Sequence, residues 1–211
     1  MKQILKLVFL LSLLMILINV VATGSTKNNI GKWYLAKESD SISLFYRWIN
    51  QNSGKKAREM KAEFTINAGV PKILEQFFSA RNYQKWAVGI KECEIEKKND
   101  SLWYAHSLMD YPWPLRKKDL ITKHFVRHHS NNVVLYIEAA PLFKPQTKGI
   151  ERMKNFQGIW AFFPNPNGTT RVEYRVVSFQ KPVFPRFVQD PVIQKITIDS
   201  FTELKILAEA R

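Results

Sequence analysis

The chain has 211 residues, with 32 Lys and Arg against 18 Asp and Glu, a formal net charge of +14, and one cysteine. A single cysteine, Cys93, excludes an intrachain disulfide framework, and a chain this long has core enough not to need one. The positive charge attracts anionic partners. Its Lys and Arg are scattered, many at alternate strand positions, rather than gathered in a stripe with base-stacking aromatics. That pattern argues against nucleic acid and for a solvated surface drawn to anionic lipid head groups.

In chain order, Lys2 and Lys6 precede an apolar run from Leu7 to Val21, and Val20-Val21-Ala22 supplies the small or β-branched residues that an export peptidase reads. Residues 1–22 are therefore expected to be a secretory signal peptide. The run is shorter than the about 20 apolar residues of a membrane span, so an uncleaved anchor is the alternative. Residues 23–30 read as a short linker and 31–211 as one domain, exported to the periplasm or the exterior. Without Lys2 and Lys6 the formal charge is still +12.

Period-two alternation marks half-buried antiparallel strands. Ile42, Leu44, Tyr46 and Trp48 alternate with Ser41, Ser43, Phe45 and Arg47, and Met60, Ala62, Phe64 and Ile66 with Glu59, Lys61, Glu63 and Thr65. Val172, Tyr174 and Val176 alternate with Arg171, Glu173 and Arg175. Further strands are expected at 91–98, 102–109, 119–128, 133–139 and 152–163, with turns at 98–100, 130–132 and 165–168. Pro71 in a first turn, with Ile73, Leu74, Phe77 and Phe78, predicts a helix over 70–80, followed by a short turn near 82–88. Ile193, Ile196, Leu204, Leu207 and Ala208 fall on one arc of a long helix from Val188 to Glu209, with Thr197, Ser200 and Phe201 beside it. The order is two strands, a helical excursion, about six more strands and a closing helix.

Midway lies Asp110-Tyr-Pro-Trp-Pro-Leu-Arg-Lys-Lys-Asp119, where Pro112 and Pro114 hold Trp113 in a stiff bend outside any ladder. Pro112-Trp113-Pro114 followed by Lys118-Asp119 at the start of a strand resembles START domains, lipid-binding members of the helix-grip superfamily. Gly149-Ile-Glu-Arg-Met153 followed by Gly158-Ile-Trp160 is similar to the family's next strand. Phe184-Pro-Arg-Phe-Val188 with the amphipathic segment to Arg211 is similar to its closing helix. Trp33 to Lys37 before Ile42 to Arg47 is similar to its first strand. The likeness covers almost all of 31–211. It departs at Lys118, where the family's arginine precedes the aspartate, and at Phe179-Gln-Lys-Pro182, which replaces a glycine-rich turn.

The resemblance implies an α+β helix-grip fold, a curved antiparallel sheet wrapped around a long C-terminal helix. A twisted sheet crossed by a helix encloses a space that side chains fill or a ligand occupies. Trp86, Trp103, Trp113, Trp160, Phe162 and Tyr174 are the rings that fill it or line it, and the resemblance favours lining. His106, Asp119 and Arg152 are the polar candidates for that cavity. The segment Ala139 to Lys148 is the family's loop at the tunnel mouth, with Leu142, Phe143 and Lys144 as gate residues that touch an anionic membrane or fold inward as a lid.

Signals for catalysis are sparse. The histidines are His106, His124, His128 and His129; His124 and His128 are four apart on a strand, too far apart to share a metal without further ligands. There is no Gly-x-Ser-x-Gly elbow and no phosphate-binding glycine loop. Asp110 with Asp119, and Glu151 with Glu173, are carboxylates that no spacing brings together. The expectation is a monomeric, non-enzymatic protein without cofactor or metal that binds a lipid or other hydrophobic small molecule. An aromatic cyclase or hydrolase-like enzyme using His106 and Asp119, or an interaction module with a filled core, are the alternatives.

Overall fold

The computed structural model describes residues 30–39, 41–50, 54, 56–87, 89–110, 117–146, 148–178, 182 and 184–210. The expected signal segment, and Trp113 in its Pro-Trp-Pro bend, lie outside the described residues. Among the described residues no helix is long and apolar enough to cross a membrane.

Among the described residues ten strands form one sheet: β1 (Tyr34–Ser39), β2 (Ile42–Asn50), β3 (Lys56–Ile66), β4 (Ile90–Asn99), β5 (Leu102–Met109), β6 (Lys118–His128), β7 (Val133–Ala139), β8 (Glu151–Arg152), β9 (Phe156–Pro164) and β10 (Thr170–Ser178). Their spatial order is β1-β2-β3-β10-β9-β7-β6-β5-β4, and β8 pairs with β6. These strands pair antiparallel except in the two-residue β6–β8 contact, and an isolated parallel bridge joins Ile30 to Trp48. Three strands, not two, precede the helices, because the expected first strand forms β1. The expected strand 152–163 is broken in two: β8 pairs β6 where β7 has ended, and β9 begins only at Phe156.

Helix α1 (Val70–Phe78) starts with Pro71 in its first turn and buries Val70, Ile73, Leu74 and Phe77. Ser79 ends it and caps α2 (Ala80–Trp86), its hydroxyl accepting from the Asn82 amide. The β9–β10 hairpin turns at Gly168, whose φ of 84° suits a residue without Cβ. Helix α3 (Arg186–Glu209) runs 24 residues across the sheet. At its start Asp190 takes two 2.6 Å hydrogen bonds from Arg58 of β3, and at its end Glu209 accepts from the Asn67 amide at 2.8 Å.

The buried residues of α3 are Thr197, Ile198, Phe201, Leu204 and Ala208. The buried arc is thus rotated from the expected one: Phe201 is central, whereas Ile193, Ile196 and Leu207 are only half-buried. Phe201 stacks on Phe64 at 5.2 Å and meets Trp160 and Tyr174 at 5.1 and 5.3 Å, which fixes the rotation. The core gathers here, where Trp160 also packs on Phe77 and Trp86.

Candidate functional site

Residues directly opposed in an antiparallel ladder share a face, so the register sorts the candidates. Trp103 opposes His124, Leu135 opposes Trp160, Val133 opposes Phe162, and Trp160 opposes Tyr174. Rings of α1, α2 and α3 contact these residues, so this is the inner face. His106 opposes Ile121 and Asp119 opposes Leu108, which alternation sends to the outer face. The structure therefore divides the expected cavity set. Trp86, Trp103, Trp160, Phe162 and Tyr174 are brought together inside; His106, Asp119 and Arg152 are brought together on the opposite side of the sheet.

The outer group is a buried ion pair that anchors the 140–148 loop. Asp119 and Arg152 are opposed in β6 and β8 and almost wholly buried. Arg152 Nε and Nη2 donate to Asp119 Oδ2 at 3.1 and 2.6 Å, and His106 Nε2 lies 2.9 Å from Oδ1. Nη1 donates to the carbonyls of Pro141 (2.9 Å) and Lys144, and Nη2 to that of Pro145 (2.8 Å). All five guanidinium donors are used, three on the loop's backbone. Pro141 and Pro145 keep the loop out of a ladder, which leaves its carbonyls free to accept. Lys118 pairs with Glu151 instead. Phe143 stacks on Tyr104 at 3.8 Å and 4°, and Lys144 binds Glu94 at 2.9 Å. Leu142 points outward, 97% exposed. The two tip residues thus have different fates: Phe143 lies down on the outer face, and Leu142 stands in solvent. The shallow recess between Phe143, His106 and Glu94 encloses no room for a lipid.

The other proposed carboxylate pairs do not form a site. Asp110 faces Lys117 and Lys91, Glu151 faces Lys118, and Glu173 faces Arg175. Cys93 is half-buried, receives a weak hydrogen bond from Ser107, and has its thiol pKa raised chiefly by burial.

Inside, the two ends of the space differ. Around Phe77, Trp86, Trp160, Phe162 and Phe201 the rings fill the interior edge to face. Trp86 Nε1 donates to the Gln76 carbonyl at 3.0 Å. At the same end Trp103 stacks on His124 at 5.0 Å, and His124 Nε2 lies 2.8 Å from the Thr122 hydroxyl. Burial holds the His124 pKa at about 3. Its ordinary value is about 6.5, so the unfolded chain gains a proton below that pH and the folded chain does not. Stability is expected to be full above pH 6.5 and to fall towards pH 3 by up to about 1.4 kcal/mol per pH unit. Urea midpoints measured across that range should lose this slope in His124→Phe.

The other end is where β2, β5, β7 and β10 finish and β3, β4, β6 and β9 begin. Here Tyr174 and Val176 face inward on a central strand yet stay half-buried. Above, α3 changes character: its inward line is apolar from Ile198 to Ala208 but carries Arg186, Asp190 and Gln194, with a half-buried Ile193, over its first turns. Arg58, opposite Trp48, joins them from β3. None of these was expected from the sequence as a site residue. Arg58 was readable, since it shares the parity of Met60 and Ala62, and the four-residue spacing of Arg186, Asp190 and Gln194 is itself a one-face signal.

No family profile matches the chain. An uncharacterized protein of Pseudomonas aeruginosa is 23% identical over 180 residues, 85% of this chain and 88% of its own length. Among solved structures, a STAR-related lipid transfer protein from Xanthomonas axonopodis superposes with a TM-score of 0.74 at 20% identity, covering 84% of this chain and 99% of that one. Human StAR-related lipid transfer protein 5 does so at 0.65 and 12% identity, covering 99% and 97%. The Zhui aromatase/cyclase from Streptomyces sp. R1128 reaches 0.53 at 10% identity, covering 72% and 94%. The architecture is a helix-grip α+β fold, an open curved antiparallel sheet closed by a C-terminal helix. Within that class, the chain has a START-like fold.

Proposed function

We propose that this protein binds a lipid or other hydrophobic small molecule between the sheet and the first half of α3, without catalysis, for transfer or sensing at the cell envelope. The observation that carries the reading is the incomplete closure there. Tyr174 and Val176 on the inner face of β10 and Ile193 on the first half of α3 remain half-buried, although rings seal α3 to the sheet further along. Apolar surface left in that state gains about 25 cal/mol per Å² when a ligand covers it, before ordering costs. Lipid-transfer proteins among the structural neighbours agree with it. The cyclase reading needs a polar pair in the hollow, and His106 with Asp119 faces the other side of the sheet.

The 140–148 loop is the proposed membrane contact, with Leu142 entering the interface and Lys148 staying among the head groups. The test is transfer of a labelled phospholipid between anionic vesicles. Leu142→Ser is expected to slow transfer several-fold without changing affinity or melting temperature, since nothing packs on that side chain. Phe143→Ser is expected to cost stability as well, because it removes the stack on Tyr104. Absence of transfer by the unaltered protein would sink the transfer role. Export is part of the same proposal: Edman sequencing of protein from its natural source should begin near Thr23, and intact Met1 in the membrane fraction would show an anchor instead.

A further inference from the structure

We infer that the first turns of α3 and the facing ends of β2 and β3 bind the anionic head, a phosphate or carboxylate, of an amphiphile whose tail occupies the interior. This rests on the ligand-binding reading above and gives its ligand a polar end.

Arg186, Asp190 and Gln194 are spaced four apart on α3 and so lie on one line. Arg58 Nη1 and Nη2 each donate to Asp190 at 2.6 Å, and its guanidinium lies 3.9 Å over the Tyr46 ring. The Arg186 guanidinium lies 4.9 Å over Trp48, the residue directly opposite Arg58 in the β2–β3 ladder. Two guanidiniums thus stand near one carboxylate, and both oxygens of that carboxylate are taken by Arg58. Among the described residues Arg186 has no hydrogen-bond or ion-pair partner, only its ring contact. Burial, and then Arg58, hold its pKa below the usual arginine value. The group is a half-buried cation with one charge uncompensated.

A second, independent feature points to the same ligand. Tyr46 is 3% exposed, and its hydroxyl has no hydrogen-bond partner among the described residues. Gln194 stands near it without reaching bonding geometry. Burial, the largest influence, raises the phenol pKa, so the group keeps its proton and can donate. Among the described residues no side chain caps the N-terminus of α3, and no acidic residue stands in its first turn, so the positive end of the helix dipole is also unopposed. An oxyanion satisfies all three donors: the guanidinium, the hydroxyl and the helix end. Because Met60 separates Tyr46 from a half-buried Val176 in the ladder, and the half-buried Ile193 adjoins Gln194 on α3, the anion that fits best carries an apolar tail.

Calorimetric titration of the full chain with dodecyl phosphate, dodecanol and inorganic phosphate tests the inference. Dodecyl phosphate is expected to bind at least tenfold more tightly than dodecanol, the size of one charge-assisted hydrogen bond. Arg186→Gln should cut that ratio about tenfold, and Tyr46→Phe several-fold, with melting temperatures unchanged or raised. Equal binding of dodecyl phosphate and dodecanol, or a ratio untouched by both variants, overturns the head-group site and leaves the apolar cavity standing. Inorganic phosphate binding as tightly as dodecyl phosphate overturns the amphiphile and marks a free-anion site. If neither chain-bearing probe binds, the cavity reading falls, and the head-group site with it.

Discussion

Asp119→Asn is expected to lower the stability of the domain by about 3 kcal/mol, because it leaves the Arg152 guanidinium buried without its counter-charge. For a domain of this size that is a fall of about 10 °C in melting temperature. Three carbonyls of the 140–148 loop hang on the same guanidinium, so the loop should become cleavable by protease before the rest of the domain unfolds. Ligand affinity of the folded fraction should be unchanged, since the pair faces away from the interior. A loss of affinity with stability intact would mean that Asp119 orients a ligand after all. Differential scanning calorimetry alongside probe titration separates the two.

Phe201→Ala is expected to cost about 4 kcal/mol. Its ring is the point at which α3 grips the sheet, 1% exposed and in contact with Phe64, Trp160 and Tyr174. Unlike Asp119→Asn, this change should also weaken binding of an apolar probe at least tenfold, because the roof of the space is no longer held at its centre. Chemical denaturation gives the first quantity and probe titration the second. A loss below about 1 kcal/mol would show that α3 is held by its two ends alone, through Asp190 and Glu209.

Much of this was readable from local pattern. The alternation in β2, β3 and β10 marked the sheet, Pro71 marked the start of α1, and the Pro-Trp-Pro, Gly-Ile-Glu-Arg and closing-helix segments together indicated a START-like fold. The site was read less well, for a specific reason. Trp103 and His106 are three residues apart in one strand, an odd number, which puts them on opposite faces. That odd spacing separates the polar candidate of β5 from its aromatic one. The Asp119–Arg152 pair is different: β8 brings together residues 33 apart through a two-residue parallel contact that no periodicity announces. The arc of α3 was misjudged because its inward line is not apolar throughout. A hydrophobic pattern gives greatest weight to Ile193 and Ile196, whereas the sheet's twist and the ring of Phe201 set the rotation. Arg186, Asp190 and Gln194 read as ordinary surface charge until Arg58 is seen beneath them.

The space under the first half of α3 is expected to take one apolar-tailed molecule. Native mass spectrometry tests it most directly, on protein stripped of lipid, incubated with vesicles made from the total lipid of its own source, and re-isolated. A single adduct per chain, of amphiphile mass, is expected, and it should disappear in Phe201→Ala. A chain that returns bare from those vesicles would contradict it.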